Sequence, residues 1–241
     1  MTLQNLEWQA PPVKAVIFDM DGVLVNSEPI YFEIERSSFA HFGAPVTEEE
    51  HHGYVGVTLE SMWRQVLEKH KLSFPLEEVL AYHQNNVLDI MAAHPELQPI
   101  PHVTLWLDWL RSRQVPLAVA SSSPPSLIRL IMERTGLGAF FSVRLSGEEV
   151  KSGKPAPDIF LQAAKLLGAE PSSCLVIEDS RNGVKAAKSA GMRCIGYLNP
   201  GSGRQDLSQA DHVITSYLEM EAIRDMLSIE PLAPVPLDLQ A

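Results

Sequence analysis

A parallel α/β sheet with helices on both faces, interrupted after its first strand by a helical insert, is the architecture that this 241-residue chain predicts. Three observations carry that expectation. Short apolar runs at about 13–19, 115–121, 142–146, 173–178, 193–198 and 212–215 read as buried strands. Helical patterns alternate with the later runs and stop at or near glycines, and such alternation implies right-handed crossovers between parallel strands. Between about Pro29 and Leu97 the strand signals vanish and helical periodicity replaces them.

Residues 1–12 form an irregular lead-in. Val13-Lys14-Ala15-Val16-Ile17-Phe18 is the first strand, and Asp19-Met20-Asp21-Gly22 follows at its C-terminal edge. Open α/β sheets bind ligands outside that edge, so Asp19 and Asp21 are expected to share a crevice. Asp-x-Asp can hold Mg²⁺, and it can also supply a carboxylate nucleophile beside an acid/base. Two solvated acids at a strand end are the plainer alternative. Gly22 lets the chain turn away where a side chain would crowd the site. In the insert, Ile30, Ile34 and Phe39 share a helix that ends at Gly43, and Thr47 stands at capping-box spacing before Glu50. Met62, Val66 and Leu67 mark a helix from near Thr58; Val79, Leu80, Val87, Leu88 and Met91 mark another. The insert joins the sheet near Asn26–Pro29 and Gln98–Pro101.

The strand at about 115–121 ends in Ser121-Ser122-Ser123, before a helix from Pro125 to Arg134. Ser121 and its neighbouring N–H groups stand where a phosphate can be received, unless the run is a plain serine N-cap. Lys154, in Lys151-Ser152-Gly153-Lys154-Pro155, precedes a helix from Asp158 to Leu167 that ends at Gly168. Its ammonium can neutralise a phosphoryl group and Asp19, although a surface lysine is the usual reading of a single Lys. The phosphate-loop pattern Gly-x-x-x-x-Gly-Lys-[Ser/Thr] is absent. Cys174-Leu175-Val176-Ile177 ends in Glu178-Asp179, and Ser180 can cap the next helix, which runs to Ala190 and stops at Gly191. Asp19, Asp179, the carbonyl of Asp21 and Glu178 would make a set of hard oxygens suited to Mg²⁺. Acids at a helix start that complement its dipole are the alternative for Glu178 and Asp179.

Composition narrows the function classes. A net charge of -11 lacks the basic footprint of a nucleic-acid binder. It also repels an anionic substrate at long range, so a site for one needs its own cations, Lys154 and Mg²⁺. No apolar stretch approaches the roughly 20 residues of a membrane span, and the N-terminus shows no signal-peptide core. Cys174 and Cys194 both lie in apolar runs, as buried free thiols of a reducing cytoplasm do. His51-His52 lacks metal-pair spacing on a helix and reads as a solvated loop. The Pro-bearing tail 229–241 reads as loosely ordered, and no obligate protein partner is evident.

Taken together and in this order, Asp19-x-Asp21-Gly22, Ser121, Gly153-Lys154-Pro155 and Glu178-Asp179-Ser180-x-x-Gly183 resemble the haloacid dehalogenase superfamily of phosphotransferases. The match runs from about Val13 to Tyr217, and Asp19 to Pro29 is most similar to its β-phosphoglucomutase-like branch. The resemblance implies a Rossmann-like core from 13–28 and 99–228, with strand order 3-2-1-4-5, and a small α-helical cap over 29–98. It also implies a Mg²⁺ cofactor and a small phosphorylated metabolite, a sugar phosphate, as substrate. Asp19 would attack phosphorus to form an aspartyl-phosphate, with Asp21 as acid and then base. Lys154, Ser121, Ser122 and Mg²⁺ would share the phosphoryl charge.

Members that are β-phosphoglucomutases carry a His after the first motif, an Arg in the cap loop and a cap Lys. This chain has Tyr31, Leu59 and Gln84 instead. Ser27 keeps a hydroxyl near Asp21, and Gly56 of the cap loop is retained. With no clamp for a second phosphate, hydrolysis of a monophosphate is expected ahead of sugar-phosphate mutation. A noncatalytic protein on the same fold would be expected to lose Asp19, Asp21, Lys154 or Asp179, and all four are present. A dehalogenase proper would need neither Asp21 nor a Mg²⁺ pocket.

Overall fold

The computed structural model describes residues 11–54, 58–224 and 229. Six parallel strands form one sheet: β1 (Ala15–Phe18), β2 (Leu117–Ser121), β3 (Val143–Ser146), β4 (Cys174–Glu178), β5 (Arg193–Tyr197) and β6 (His212–Ile214). Their spatial order is β3-β2-β1-β4-β5-β6, so the first strand is central and the order reverses beside it. Val16 pairs with Leu117 on one side and with Leu175 on the other. Ligands bind in the crevice at such a reversal, because loops leaving the two sides diverge there.

β1 is wholly buried, and its residues alternate between two apolar layers. Val16 and Phe18 pack with α5 (Val103–Ser112) and α6 (Pro125–Arg134); Ala15 and Ile17 pack with α7 (Asp158–Leu167) and α8 (Arg181–Ser189). Each fully buried Val, Ile or Phe contributes about 1.5–3 kcal/mol. Both faces of the sheet are therefore covered, as near-continuous apolar strands require. Gly136, Gly168 and Gly191 all adopt positive φ just beyond α6, α7 and α8, in line with their reading as stops.

The segment after β1 is helical: α1 (Glu28–His41), α2 (Glu48–His52), α3 (Leu59–Lys69) and α4 (Leu76–Ala93). It has its own apolar centre around Phe39, Phe42, Met62, Trp63, Val66 and Val79. Ile30, Ile34 and Met91 instead join the core of the sheet, which anchors α1 and α4 to it. The two connections are tied together: Ile100 N–H donates to the Leu24 carbonyl at 2.9 Å, and Asn26 N–H to the Gln98 carbonyl at 3.3 Å. A short helix, α9 (Met220–Ile223), follows β6.

Several sequence expectations need correction. His51 is not solvated: it is 2 % exposed, stacks on Phe32 with ring centres 3.6 Å apart, and pairs with Glu35 at 2.5 Å. Thr47 caps α2 by accepting from Glu50 N–H, but the Glu50 carboxylate turns away to Tyr54, Lys69 and His70. α5 lies outside the helices read from the sequence. Its N-cap position is His102 at φ 68, with no side-chain cap, so no start signal precedes its apolar stripe. Ile229, placed in the loose tail, forms an isolated parallel bridge with Val13. The rest of 230–241 lies outside the described residues.

Candidate active site

β1 and β4 deliver Asp19, Glu178 and Asp179 to one point at the C-terminal edge, and Lys154 arrives from the loop before α7. The Lys154 ammonium is 6 % exposed and donates to Asp19 Oδ1 at 2.5 Å, Glu178 Oε1 at 2.8 Å and the Ala120 carbonyl at 3.0 Å. All three of its protons have acceptors, with the Phe160 ring beneath at 5.0 Å. Burial opposes its charge, but the facing Asp19 and Glu178 carboxylates outweigh burial and hold it protonated above the ordinary lysine range.

Glu178 was expected among the metal ligands. Both of its oxygens accept hydrogen bonds in this structure. Oε1 accepts from Lys154, and Oε2 accepts from Ser180 N–H at 2.8 Å and from Ser180 Oγ at 2.9 Å. Ser180 Oγ also accepts from Gly183 N–H and so caps α8. The carboxylate lies so close to Gly183 that a Cβ there would overlap its terminal atoms. Gly183 is thus required by a close approach, in a helix where glycine otherwise weakens the backbone.

Asp179 is 5 % exposed and accepts from Ser202 Oγ, a residue the sequence reading missed. Asn199, three residues before Ser202, donates to the Gly22 carbonyl at 3.0 Å. The turn after β5 therefore braces both the Asp19 loop and Asp179. A Cβ on Gly22, itself at φ +75, would collide with Asp179 Oδ2 and sit 2.8 Å from Ser202 Oγ. The crowding expected at this glycine is thus supplied by a carboxylate from the neighbouring strand.

Burial, opposed by Lys154 and reinforced by Glu178 and Asp21, pushes the Asp19 carboxyl up. Burial, then Glu178 and Asp19, pushes Asp179 well above the carboxylate range. The cause common to both is three buried acids facing one ammonium. No group of three His, Cys, Asp or Glu side chains among the described residues forms a closed metal cage. Mg²⁺ does not need one: it is held by one or two carboxylates and keeps several waters. Asp19 and Asp179 are hard-oxygen donors in a site with surplus negative charge, so the donor set fits Mg²⁺.

Asp21 sits apart from this cluster in a ring of hydroxyls. Its Oδ1 accepts from Ser27 at 2.6 Å; its Oδ2 accepts from Ser123 at 2.8 Å and from Ser121 at 3.4 Å. Ser27 occupies the N-cap position of α1 but spends its hydroxyl on Asp21 instead of the helix. Ser122, expected as a phosphate-binding residue, is exposed, and Ser123 joins Ser121 beside Asp21. The chain bends after β2, and Ser123 N–H donates back to Ser121 Oγ at 3.0 Å. Tyr31 lies behind Ser123: burial, with Asp21, pushes its phenol well above the ordinary range against a hydrogen bond with Ser123. Burial, Asp21 and Glu35 push the Glu28 carboxyl up to about 7. Gly56 lies outside the described residues.

A cavity of about 510 Å³ opens beside Tyr31. Glu35, Leu59, Gln84 and Val87 line it from the helical segment; Pro124, Leu127 and Glu148 line it from the sheet side. The three positions at which mutases carry cations, Tyr31, Leu59 and Gln84, all border it.

A family model described as haloacid dehalogenase-like hydrolase matches residues 13–191. A phosphorylated carbohydrates phosphatase from Thermotoga maritima is 35% identical over 183 residues, covering 76% of this chain and 84% of its own. The crystal structure of a HAD family hydrolase from Deinococcus radiodurans, with bound phosphate and sodium, is 30% identical. It covers 91% of this chain and 99% of its own, with a TM-score of 0.74. A β-phosphoglucomutase structure from Clostridium difficile is 25% identical, covering 89% and 97%, with a TM-score of 0.69. The family model and the length of these matches agree: the chain belongs to the haloacid dehalogenase-like hydrolases, with a phosphatase and a β-phosphoglucomutase among its relatives.

Proposed function

We propose that this protein is a Mg²⁺-dependent phosphohydrolase of small phosphorylated metabolites, sugar phosphates foremost, working through an aspartyl-phosphate. The observation that carries the reading is the division of labour between the two motif acids. Asp19 faces an ammonium, where a phosphoryl group is neutralised, while Asp21 is held by hydroxyls, where a proton is handled. Asp19 is the nucleophile and attacks phosphorus. Asp21 protonates the leaving alkoxide and then takes a proton from the incoming water, a role worth about 10² to 10⁴ in rate. Lys154 neutralises the equatorial oxygens and Ser121 donates to them; Glu178 orients Lys154. Mg²⁺, held by Asp19, Asp179 and the Asp21 carbonyl, supplies further charge neutralisation when bound.

Residues 29–98 act as a cap over the sheet edge, and the cavity beside Tyr31 receives the leaving group. Closure excludes bulk water from the aspartyl-phosphate. The likeness to a carbohydrate phosphatase supports a sugar phosphate. The buried free thiols Cys174 and Cys194 support a reducing cytoplasm as its location. No helix among the described residues is long and apolar enough to cross a membrane.

The test is phosphate release by purified protein with Mg²⁺ across a panel of phosphorylated metabolites, with isomerised sugar phosphate followed in parallel. Asp19→Asn is expected to abolish turnover with the fold intact, and Asp21→Ala to lose both chemical steps. Full phosphate release by Asp19→Asn would refute the mechanism. Isomerisation that needs a bisphosphate primer and releases little phosphate would make the protein a mutase.

A further inference from the structure

Resting on the phosphohydrolase reading, we propose that Glu35 and Glu148 make the cavity beside Tyr31 a charge filter. It admits a hydroxyl-bearing leaving group that is neutral or cationic and rejects one that carries a second phosphate or a carboxylate. The 510 Å³ of space is ample for a sugar or polyol, and its charge is one-sided. Neither Lys nor Arg is among the described residues that line it, while Glu35 and Glu148 both do.

Two histidines stand near these carboxylates. His83 lines the cavity, but burial lowers its affinity for a proton, and its Nδ1 lies 3.3 Å from Ser38 Oγ. His51 contacts Glu35 at 2.5 Å from behind, which fixes that carboxylate in place through Oε2. Glu35 remains 24 % exposed, so it is both held and accessible. Glu148 stands opposite, on the short turn Gly147–Glu149 after β3, and is exposed.

Two carboxylates, Glu35 held by His51 and Glu148 open to solvent, accept well from hydroxyl or ammonium donors through charge-assisted hydrogen bonds. Leu59, Val87 and Leu127 offer apolar surface to C–H faces. An anionic leaving group meets the same carboxylates with no compensating cation, since Lys154 is already committed to Asp19 and Glu178. Rejection by like charge is an effective route to specificity, because it acts against the wrong substrate without weakening the right one.

The experiment compares pairs that differ in the charge of the leaving group: fructose 1-phosphate with fructose 1,6-bisphosphate, and phosphoethanolamine with phosphoglycolate. The full chain with Mg²⁺ is expected to favour the first member of each pair by about tenfold or more in kcat/KM. Glu148→Lys is expected to shrink that ratio by about tenfold, and Glu35→Gln to shrink it less. Equal kcat/KM within both pairs, or a ratio unmoved by Glu148→Lys, would overturn the filter. Calorimetric binding of the same pairs to Asp19→Asn protein reads the preference without turnover. Failure to hydrolyse any substrate would therefore overturn the phosphohydrolase reading, while these affinities still decide the filter.

Discussion

Gly183→Ala sets two physical effects against each other. In an isolated helix the change is favourable, because alanine exceeds glycine in helix propensity by about 1 kcal/mol. Here the added methyl would lie within 3.0 Å of the Glu178 carboxylate carbon and both its oxygens. That carboxylate has no slack: it accepts from Lys154, from Ser180 N–H and from Ser180 Oγ, at 2.8 to 2.9 Å. Relief requires Glu178 to leave Lys154, and breaking a buried ion pair costs about 3–5 kcal/mol. Net of the propensity gain, the variant is expected to be about 2–4 kcal/mol less stable. Denaturant unfolding measures this as a lower midpoint at unchanged slope. The same substitution in a Glu178→Ala background should revert to the helical gain, a stabilisation of about 1 kcal/mol. A stabilising Gly183→Ala in the native background, or an equal cost in both backgrounds, would refute the close approach as its cause.

Other outcomes follow from the same geometry. Ser202→Ala removes the hydroxyl that orients Asp179, so half-maximal activity should need several-fold more Mg²⁺, with KM for substrate little changed; a Mg²⁺ titration at saturating substrate checks it. Trp63→Ala empties the centre of the helical segment and should cost about 3–5 kcal/mol by chemical denaturation. Glu50 is held at about 2, because bonds from Tyr54, Lys69 and His70 outweigh burial. Its contribution to stability is therefore complete above the ordinary value of 4.5 and is lost as pH falls from there towards about 2. Tyr54→Phe should flatten that part of an acid-unfolding curve, which near-ultraviolet circular dichroism can follow.

The sheet and the acids of the site were legible because local rules and tertiary structure agree there. Apolar runs too short and too continuous for surface helices gave all six strands, and glycine stops bounded α6, α7 and α8. Asp19, Asp21, Lys154 and Asp179 were legible because each follows a strand or precedes a helix at the same sheet edge. What escaped is what depends on side-chain direction or on distant neighbours. Ser202 reaches Asp179 across 23 residues, and nothing local marks it. That Glu178 would bridge Lys154 and Ser180 is not marked in the strand that carries it. His51 looked solvated because its partners, Phe32 and Glu35, lie on another helix. α5 was hidden by a start residue that cannot cap.

The central position of β1 also bears on how the molecule is made. The strand that carries Asp19 is synthesised before both of its neighbours: its partners at Leu117 and Leu175 follow about a hundred and about a hundred and sixty residues later. Until β4 is synthesised, Val16, Ile17 and Phe18 have one open edge and two apolar faces waiting for cover. The helical segment has its own centre and can condense while they wait. Closing such long loops is slow and leaves sticky intermediates exposed. Folding of the sheet should therefore be the late, aggregation-sensitive step, and Asp19 meets Lys154 and Glu178 only when that step is complete.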